Sequence, residues 1–258
     1  MRPWALVRRL LLGLGLGLGS CVALAGVAEL IVQVKPSVLP VGTFNPLDSP
    51  RFGFRGSGFV VGDGNLLITN AHVLPERMTQ STALEPKLAV LVRKGPDSAE
   101  MRPAALVRLD RSSDLALLRF EGAPLPALRL GGPQAPREGM DIVFVGFPIG
   151  GALGFSPVTH RGMISSITPI ALPSGSSQQL NERAVRRLRE GSFNILQLDA
   201  TAYPGNSGGP VLNAETGEVV GVINMVLVKG SKETALSQPS GISYAIPVSF
   251  VRDLLGSP

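Results

Sequence analysis

Short apolar runs separated by turn residues recur along the chain, and this pattern restricts the fold more than any other feature. The first set comprises residues 56–61, 66–69, 88–93, 104–109 and 115–120. The second set comprises residues 141–146, 158–164, 195–198, 211–212, 219–226 and 241–246. Runs of this length between Gly, Pro, Asn and Asp residues are typical of β-sandwiches and β-barrels. The sequence therefore predicts an all-β fold.

A segment rich in Pro and Gly, residues 122–139, separates the two sets of runs. We interpret it as the connection between two structural units. About 230 residues follow the N-terminal leader, which is enough for one large all-β unit or for two small barrels. The last apolar segment, residues 248–255, is predicted to form a short C-terminal helix.

The segment Gly205-Asn206-Ser207-Gly208-Gly209-Pro210 places a serine among glycines. Such a backbone can bend tightly, so that neighbouring N–H groups point to where an attacked carbonyl gains negative charge. This is the arrangement of a nucleophile with an oxyanion hole in acyl-transfer catalysis. The alternative is a Gly-rich β-turn that contains a serine by chance.

The chain offers only two histidines as a base for this serine. His72 follows an apolar run that ends in a polar break, which would carry the imidazole to the edge of a strand. His160 lies among strand-type residues, and we interpret it as a partly exposed strand histidine without an obvious partner. Two histidines and one cysteine argue against a His/Cys zinc site, which takes three or four protein ligands. We expect no metal and no cofactor.

A carboxylate is also needed to orient the base. Asp114 directly precedes an apolar run, which would place it at the rim of a core where shielding from water strengthens its hold on the imidazole. Asp110 lies near Arg108 and Arg111 and is predicted to sit on a solvated loop, and Asp199 is interpreted as a loop residue. The order His, Asp, Ser is that of chymotrypsin-type proteases, whereas subtilisins and α/β-hydrolases have other orders.

Eight segments together resemble trypsin-like serine proteases of the HtrA (Deg) family. In chain order they are 35–38, 56–61, 69–73, 114–118, 145–148, 205–210, 221–224 and 244–247. The resemblance implies a chymotrypsin-like fold of two six-stranded antiparallel β-barrels with the active site in the cleft between them. The N-terminal barrel, 26–130, would carry His72 and Asp114, and the C-terminal barrel, 131–258, would carry Ser207. HtrA proteins usually continue into PDZ domains, and we expect this sequence to contain none.

The resemblance implies a serine endopeptidase that cleaves extended or unfolded proteins through an acyl-enzyme. The alternative is a chaperone-like or peptide-binding protein on the same fold with little turnover. The backbone N–H groups of Gly205 and Ser207 would form the oxyanion hole. Asn206 stands where trypsin-type zymogens carry an aspartate, so activation through a salt bridge to the N-terminus is not expected.

Matching positions also imply a substrate-binding set around the primary specificity pocket. Its members are Thr201, Ala202, Tyr203, Pro204, Asn224, Met225, Val226 and Ile242. None is acidic, so cleavage after Arg or Lys has no charge partner, and Ile242 should make the pocket shallow. We expect a preference for small or medium aliphatic residues such as Val, Ala or Ile. Residues 224–226 would pair with the substrate backbone as an added strand.

Residues 1–25 predict a signal peptide or a membrane or lipid anchor, because three arginines precede an apolar stretch. Ala23-Leu24-Ala25 is a cleavage site that would release a soluble protein. Leu18-Gly19-Ser20-Cys21 resembles a bacterial lipobox, which would leave Cys21 lipidated. An uncleaved anchor is the third alternative. Each of them places the domain outside the cytoplasm, in the bacterial periplasm or envelope, and two of them attach it to a membrane through the N-terminus.

Charge points to no general class of partner, because the formal net charge of +5 falls to +2 without the three leader arginines. Residues 178–190 combine an apolar stripe at helical spacing with four arginines, which predicts a surface helix in a long loop. Alternatively, this helix borders the active site and recruits acidic substrates or anionic lipid. The cluster is short and lacks interleaved aromatics, so no nucleic acid is expected. The family resemblance also suggests a homotrimer, with Phe44, Phe52 and Phe54 as candidate contacts.

Overall fold

The computed structural model describes residues 26–75, 86–95, 98–134, 136–150, 154–169, 194–224 and 241–256. The first described element is helix α1 (Val27–Val34), and a 3₁₀ turn at Lys35–Ser37 follows it. The strands of the first half are β1 (Val38–Phe44), β2 (Phe52–Val61), β3 (Leu66–Asn70), β4 (Lys87–Arg93), β5 (Ala99–Asp110) and β6 (Leu115–Phe120). Those of the second half are β7 (Asp141–Gly146), β8 (Val158–Pro169), β9 (Asn194–Asp199), β10 (Pro210–Asn213), β11 (Val219–Ile223) and β12 (Ile242–Pro247). Helix α2 (Val248–Leu255) follows.

The strands form two closed antiparallel barrels. The first has the order β1-β2-β3-β6-β5-β4, and the second has the order β10-β11-β12-β9-β8-β7. Each barrel has six strands, so the predicted chymotrypsin-like fold is confirmed. The division at residue 130 stays a prediction, and the segment around it contacts the second barrel. There Leu130 bridges to Val219, and the N–H of Gly131 donates to the carbonyl of Val219 at 2.8 Å.

Buried apolar side chains form three groups, of which one joins the two barrels. One fills the first barrel and includes Val41, Leu67 and Leu118. Another fills the second barrel and includes Phe144 and Leu198. The third combines side chains of both barrels and of α1 and α2. Its members include Val34, Phe59, Ile68, Leu115, Val145, Leu212, Val222 and Val251. This third group fixes the barrels relative to one another and so holds the cleft between them.

The structure contains elements that the hydrophobic pattern did not predict. Helix α1 was not predicted because it follows directly on the apolar leader. Strand β1 was not predicted because Pro40 and Gly42 are unfavourable strand residues. β5 begins five residues before its predicted start, since Pro103 is accommodated inside the strand opposite Ala89. In each case tertiary pairing outweighs local propensity.

Several predictions concern residues outside the described part of the chain. These are the leader with Cys21, the arginine-rich segment 178–190, and the substrate-binding candidates Met225 and Val226. Among the helices in the described part, none combines the length and apolar character needed to cross a bilayer.

Two of the three aromatic residues proposed for trimer contacts pack against another aromatic ring of the same chain. The ring of Phe52 lies 5.7 Å from that of Phe155 in an edge-to-face contact, and Phe54 lies 5.8 Å from the same ring. Phe44 is half-buried at the end of β1. The trimer stays a prediction.

Candidate active site

The side chains of Asp114 and His72 form a direct pair at the rim of the first barrel. Nδ1 of His72 lies 2.7 Å from Oδ2 of Asp114, and the backbone N–H of His72 donates to Oδ1 at 2.9 Å. Because a carboxylate only accepts, the short contact places the proton on Nδ1 and leaves the Nε2 lone pair available to take a proton. Asp114 is only 7% exposed, so water competes little for this pair.

Local structure fixes both partners. His72 lies in a 3₁₀ turn, Ala71–Val73, directly after β3. Asp114 adopts a left-handed backbone with φ of 57°, which turns the chain into β6. The carbonyl of Asp114 accepts hydrogen bonds from Nδ2 of Asn70 at 3.1 Å and from the N–H of Ala71 at 3.0 Å. The turn that carries the imidazole is therefore tied to the turn that carries the carboxylate.

Asn224 has a role that the sequence did not indicate. It was predicted to bind substrate through its backbone, but its side-chain Nδ2 donates to Oδ2 of Asp114 at 2.8 Å. The residue is 3% exposed and directly follows β11. With the two hydrogen atoms from His72, the carboxylate of Asp114 accepts three N–H groups. The only feature of the sequence that could have indicated this bond to Asp114 was an asparagine at the end of an apolar run.

Ser207 lies beside the His72 turn, between the two barrels. Its carbonyl accepts a hydrogen bond from the N–H of Ser57 at 2.8 Å. A Cβ atom at Gly56 would lie 2.7 Å from Val73 and 3.0 Å from the Ser207 carbonyl oxygen, so only glycine fits between these two segments. Ser207 as a residue is 5% exposed. The structure thus places the backbone of Ser207 next to the turn that carries His72, and His72 contacts Asp114.

A tight turn precedes the serine. The N–H of Asn206 donates to the carbonyl of Tyr203 at 3.0 Å, and Gly205 has φ of 103°. These features, with Pro204 at the second position, match a type II β-turn. The carbonyl of Pro204 accepts the N–H of Ile149 at 2.7 Å. Since C=O and N–H of a trans peptide point in opposite directions, the N–H of Gly205 points away from Ile149. It has no protein acceptor among the described residues.

Ser57 links this turn to the rest of the site. Its Oγ donates to the carbonyl of Gly205 at 2.7 Å and accepts the N–H of Phe147 at 3.0 Å. Ile149, which holds Pro204, has φ of 60°, a value that β-branched residues rarely adopt. The orientation of the Gly205 peptide therefore depends on contacts from β2 and from the segment after β7.

Comparison with known proteins identifies the family. A trypsin-like peptidase domain model matches residues 56–222. This chain belongs to the trypsin-like peptidases. It is similar to serine protease HTRA2, mitochondrial, of Drosophila willistoni and of Drosophila pseudoobscura pseudoobscura, with 36% identity over 206 residues in each case. The aligned part is 80% of this chain and 39% of each relative, so the chain spans about two fifths of their length.

The fold of this trypsin-like peptidase also has a structural match. The serine endoprotease from Yersinia pestis matches with a TM-score of 0.60 and 23% identity, covering 90% of this chain and 66% of that one. At this identity the match supports the fold alone. The relatives above, at 36% identity, confirm the predicted resemblance to HtrA-type proteases.

The substrate-binding candidates of this peptidase lie on two adjoining segments. Residues 201–204 lead into this turn and form its first half, and Ile242 starts β12 opposite Asp199 with 43% of its surface exposed. The N–H of Ala202 donates to Oγ of Ser243 at 2.9 Å, and the same hydroxyl donates to the carbonyl of Ala200 at 2.8 Å. Ser243 thus ties the two segments together, a role that the sequence did not indicate.

The remaining ionisable candidates lie elsewhere. Asp110 is the last residue of β5, so its interpretation as a residue of a solvated loop was wrong. It accepts hydrogen bonds from Ser112 and Ser113 of the turn that follows. Asp199 is the last residue of β9, so its interpretation as a loop residue was wrong. In the part of the chain that the structure describes, no group of three or more His, Cys, Asp or Glu side chains could hold a metal ion.

The interpretation of His160 as a histidine without a partner was wrong. The residue lies on β8, as predicted, but its Nε2 is 3.3 Å from Nδ2 of Asn206. The two residues are 46 positions apart, and only the path of the chain around the second barrel brings them together.

Replacing Gly205 by alanine should lower kcat by about 10²–10³-fold, comparable to removal of one oxyanion-hole donor. A Cβ there would overlap the carbonyl of Phe147, would lie 3.1 Å from the Phe54 ring, and would have to tolerate a positive φ. Steady-state kinetics measures the effect. Gly139→Ala is the matched control, since Gly139 also has positive φ but nothing lies within 4 Å of a Cβ there. Equal kcat values for the two variants would contradict the interpretation of this turn.

Arg55 ties the end of the His72 turn to β2. Its Nε donates to the carbonyl of Val73 at 2.5 Å, and its second guanidinium nitrogen donates to Leu74 at 3.0 Å. We expect Arg55→Met to lower the free energy of unfolding by about 1–2 kcal/mol and kcat by a few-fold. Arg55→Lys keeps the positive charge but not the two adjacent donors of the guanidinium, so it should recover only part of the lost stability and kcat. Urea denaturation checks this, and an unchanged midpoint for Arg55→Met would refute it.

Proposed function

We propose that this chain is a serine endopeptidase that hydrolyses peptide bonds of extended or unfolded proteins through an acyl-enzyme. The observation that carries the proposal is the half-buried contact of 2.7 Å between His72 and Asp114, with the backbone of Ser207 held beside the same turn. Membership of the trypsin-like peptidases supports the same reaction.

In the proposed mechanism, Oγ of Ser207 attacks the scissile carbonyl while Nε2 of His72 accepts its proton. His72 then donates this proton to the leaving amine, and water hydrolyses the acyl-enzyme by the reverse sequence of proton transfers. The carboxylate of Asp114 keeps the other proton on Nδ1 and stabilises the imidazolium. Asn224 in turn holds this carboxylate.

The N–H groups of Gly205 and Ser207 are proposed to bind the oxyanion of the tetrahedral intermediate. The orientation of the Gly205 N–H supports this role, because the bond from Ile149 to Pro204 directs it away from the neighbouring loop. These donors belong to the backbone, so their geometry depends on the turn and on the contacts that hold it, such as the bond from Oγ of Ser57 to the carbonyl of Gly205.

The substrate is proposed to be a polypeptide in an extended conformation with a small or medium aliphatic residue before the cleaved bond. The pocket would be formed by residues 201–204, by 224–226 and by Ile242. Among its described members no side chain is acidic, which supports a preference against Arg and Lys. Residues 224–226 would pair with the substrate backbone as an added strand.

We place the enzyme in the bacterial periplasm or envelope, where it would remove unfolded proteins. The support is the leader sequence, with its three arginines and apolar stretch. Attachment to the membrane through Cys21 or an uncleaved leader, and assembly into trimers, belong to the same proposal.

Labelling with a fluorophosphonate, followed by mass spectrometry of the modified peptide, tests the proposed nucleophile. We expect one label, located on Ser207. A peptide library then tests specificity, and we expect cleavage after Val, Ala or Ile. Dominant cleavage after Arg or Lys would refute the proposed pocket, and a label on another serine would refute the proposed nucleophile.

A further inference from the structure

The imidazole of His160 contacts the residue that separates Gly205 from Ser207. Nε2 of His160 lies 3.3 Å from Nδ2 of Asn206, which is fully buried. An amide nitrogen can only donate, so the bond requires an unprotonated Nε2 on His160. The contact therefore exists only while this imidazole is neutral.

The ring of His160 is fixed from two sides. It stacks on Phe144, its direct partner across β7 and β8, with a centroid distance of 4.5 Å and an interplanar angle of 11°. The ring of Tyr203 lies 6.1 Å away on the turn that leads to Gly205. The stacking on Phe144 fixes the plane of the ring and so keeps its edge beside Asn206.

The amide of Asn206 depends on this bond. Within the described residues its Oδ1 is buried without a hydrogen-bond partner. Gly146 leaves room for this oxygen, since a Cβ at that position would lie 2.7 Å from it. Loss of the contact with His160 would leave the whole amide buried and unpaired, which is a costly state for a polar group.

We propose that His160 is a positioning residue for the hydrolysis proposed above, holding Asn206 and through it the backbone of Gly205 and Ser207. The proposal rests on that function. The backbone of Asn206 supplies one half of each peptide that flanks it, and one of these peptides contains the N–H of Ser207. Fixing the Asn206 side chain therefore limits how far this N–H can turn.

The contact makes the site sensitive to acid. Burial lowers the pKa of His160 below its usual value of 6.5, so the ring is neutral near pH 7. The ionisable groups beside it are Tyr203 and, next along β8, Arg161, which pairs with Asp141 of β7 at 3.7 Å on the exposed side. Protonation of His160 would place two donors, Nε2–H and Nδ2, against each other. At low pH, activity should therefore fall because His160 is protonated, in addition to any fall caused by protonation of His72.

The same shift determines how stability depends on pH. The pKa of His160 is lower in the folded chain than in the unfolded chain, so the unfolded chain binds this proton more readily. The contribution of His160 is therefore fully present above pH 6.5 and is lost as the pH falls from there towards the folded pKa.

Two substitutions distinguish the effect of losing the hydrogen-bond acceptor of His160 from the effect of losing its aromatic ring. His160→Phe keeps the aromatic stack but removes the acceptor, and it should lower kcat by about tenfold or more with KM changed by less than about threefold. His160→Gln keeps a neutral acceptor that cannot titrate. It should retain kcat within about threefold at pH 7.5 and should lose less activity than the wild type at lower pH. Thermal unfolding shows whether each variant is folded.

Nuclear magnetic resonance supplies a readout that does not depend on activity. The chain has only two histidines, so ¹⁵N spectra contain two imidazoles, and His160→Gln assigns them. We expect His160 to titrate below 6.5 and to carry its proton on Nδ1 at neutral pH. A proton on Nε2 at neutral pH would overturn the inference, because the bond to Asn206 could not exist as described.

The kinetic outcomes distinguish the two proposals. An active wild-type enzyme whose His160→Phe variant has the same kcat and pH profile would overturn only the positioning role. A folded wild-type protein that neither cleaves unfolded substrates nor reacts with fluorophosphonate would overturn the proposed function and, with it, this role. A selective fall in kcat for His160→Phe, restored by Gln, supports both.

Discussion

Replacing Ser207 by alanine should lower kcat for an unfolded protein substrate by about 10⁵–10⁶-fold, because the acyl-enzyme can no longer form. The fold should survive, since the carbonyl of Ser207 and not its hydroxyl accepts the bond from Ser57. KM should change little, because the pocket and the oxyanion-hole N–H groups remain. Steady-state hydrolysis and fluorophosphonate labelling measure the loss.

Ser37→Ala is the matched control for this experiment. Ser37 is buried like Ser207, and its Oγ has no hydrogen-bond partner in the described part of the chain, so its removal should leave kcat unchanged. Retention of a tenth or more of the turnover by Ser207→Ala would mean that another group is the nucleophile. If the wild type binds unfolded proteins without cleaving them or being labelled, the chaperone-like alternative is supported instead.

Replacing Asp114 by asparagine should lower kcat by about 10⁴-fold at neutral pH while the turn keeps its shape. Asparagine tolerates the left-handed backbone of this position, where φ is 57°. Its amide nitrogen can donate to Nδ1 of His72, however, which would move the imidazole proton to Nε2. The base then lacks a lone pair towards Ser207, and no anion stabilises the imidazolium.

Asp110→Asn controls for the local effect of removing a carboxylate from the same loop. Asp110 bonds to Ser112 and Ser113 and has no contact with His72 in the structure. We expect its substitution to lower the unfolding midpoint slightly and to leave kcat within about threefold of the wild type. A similar loss of kcat in both variants would show that loop geometry matters here and not the carboxylate–imidazole pair.

The sequence alone predicted the all-β fold and the three catalytic candidates, because these depend on signals that are local in the chain. Short apolar runs between turn residues determine strands within a few residues of their observed bounds. The glycines around Ser207 and the polar breaks beside His72 and Asp114 likewise lie within single segments. Their order along the chain then favours one protease fold over others.

Barrel closure decided the contacts that hold these residues in place. Asn224 reaches Asp114 from 110 positions away, Ser57 reaches Gly205 from 148 positions away, and His160 meets Asn206 only because β8 passes behind the turn. A strand pattern tells which residues share a face, but it does not tell which strand ends meet. The path and register of the strands around the two barrels determine those meetings, and no local pattern in the sequence encodes them.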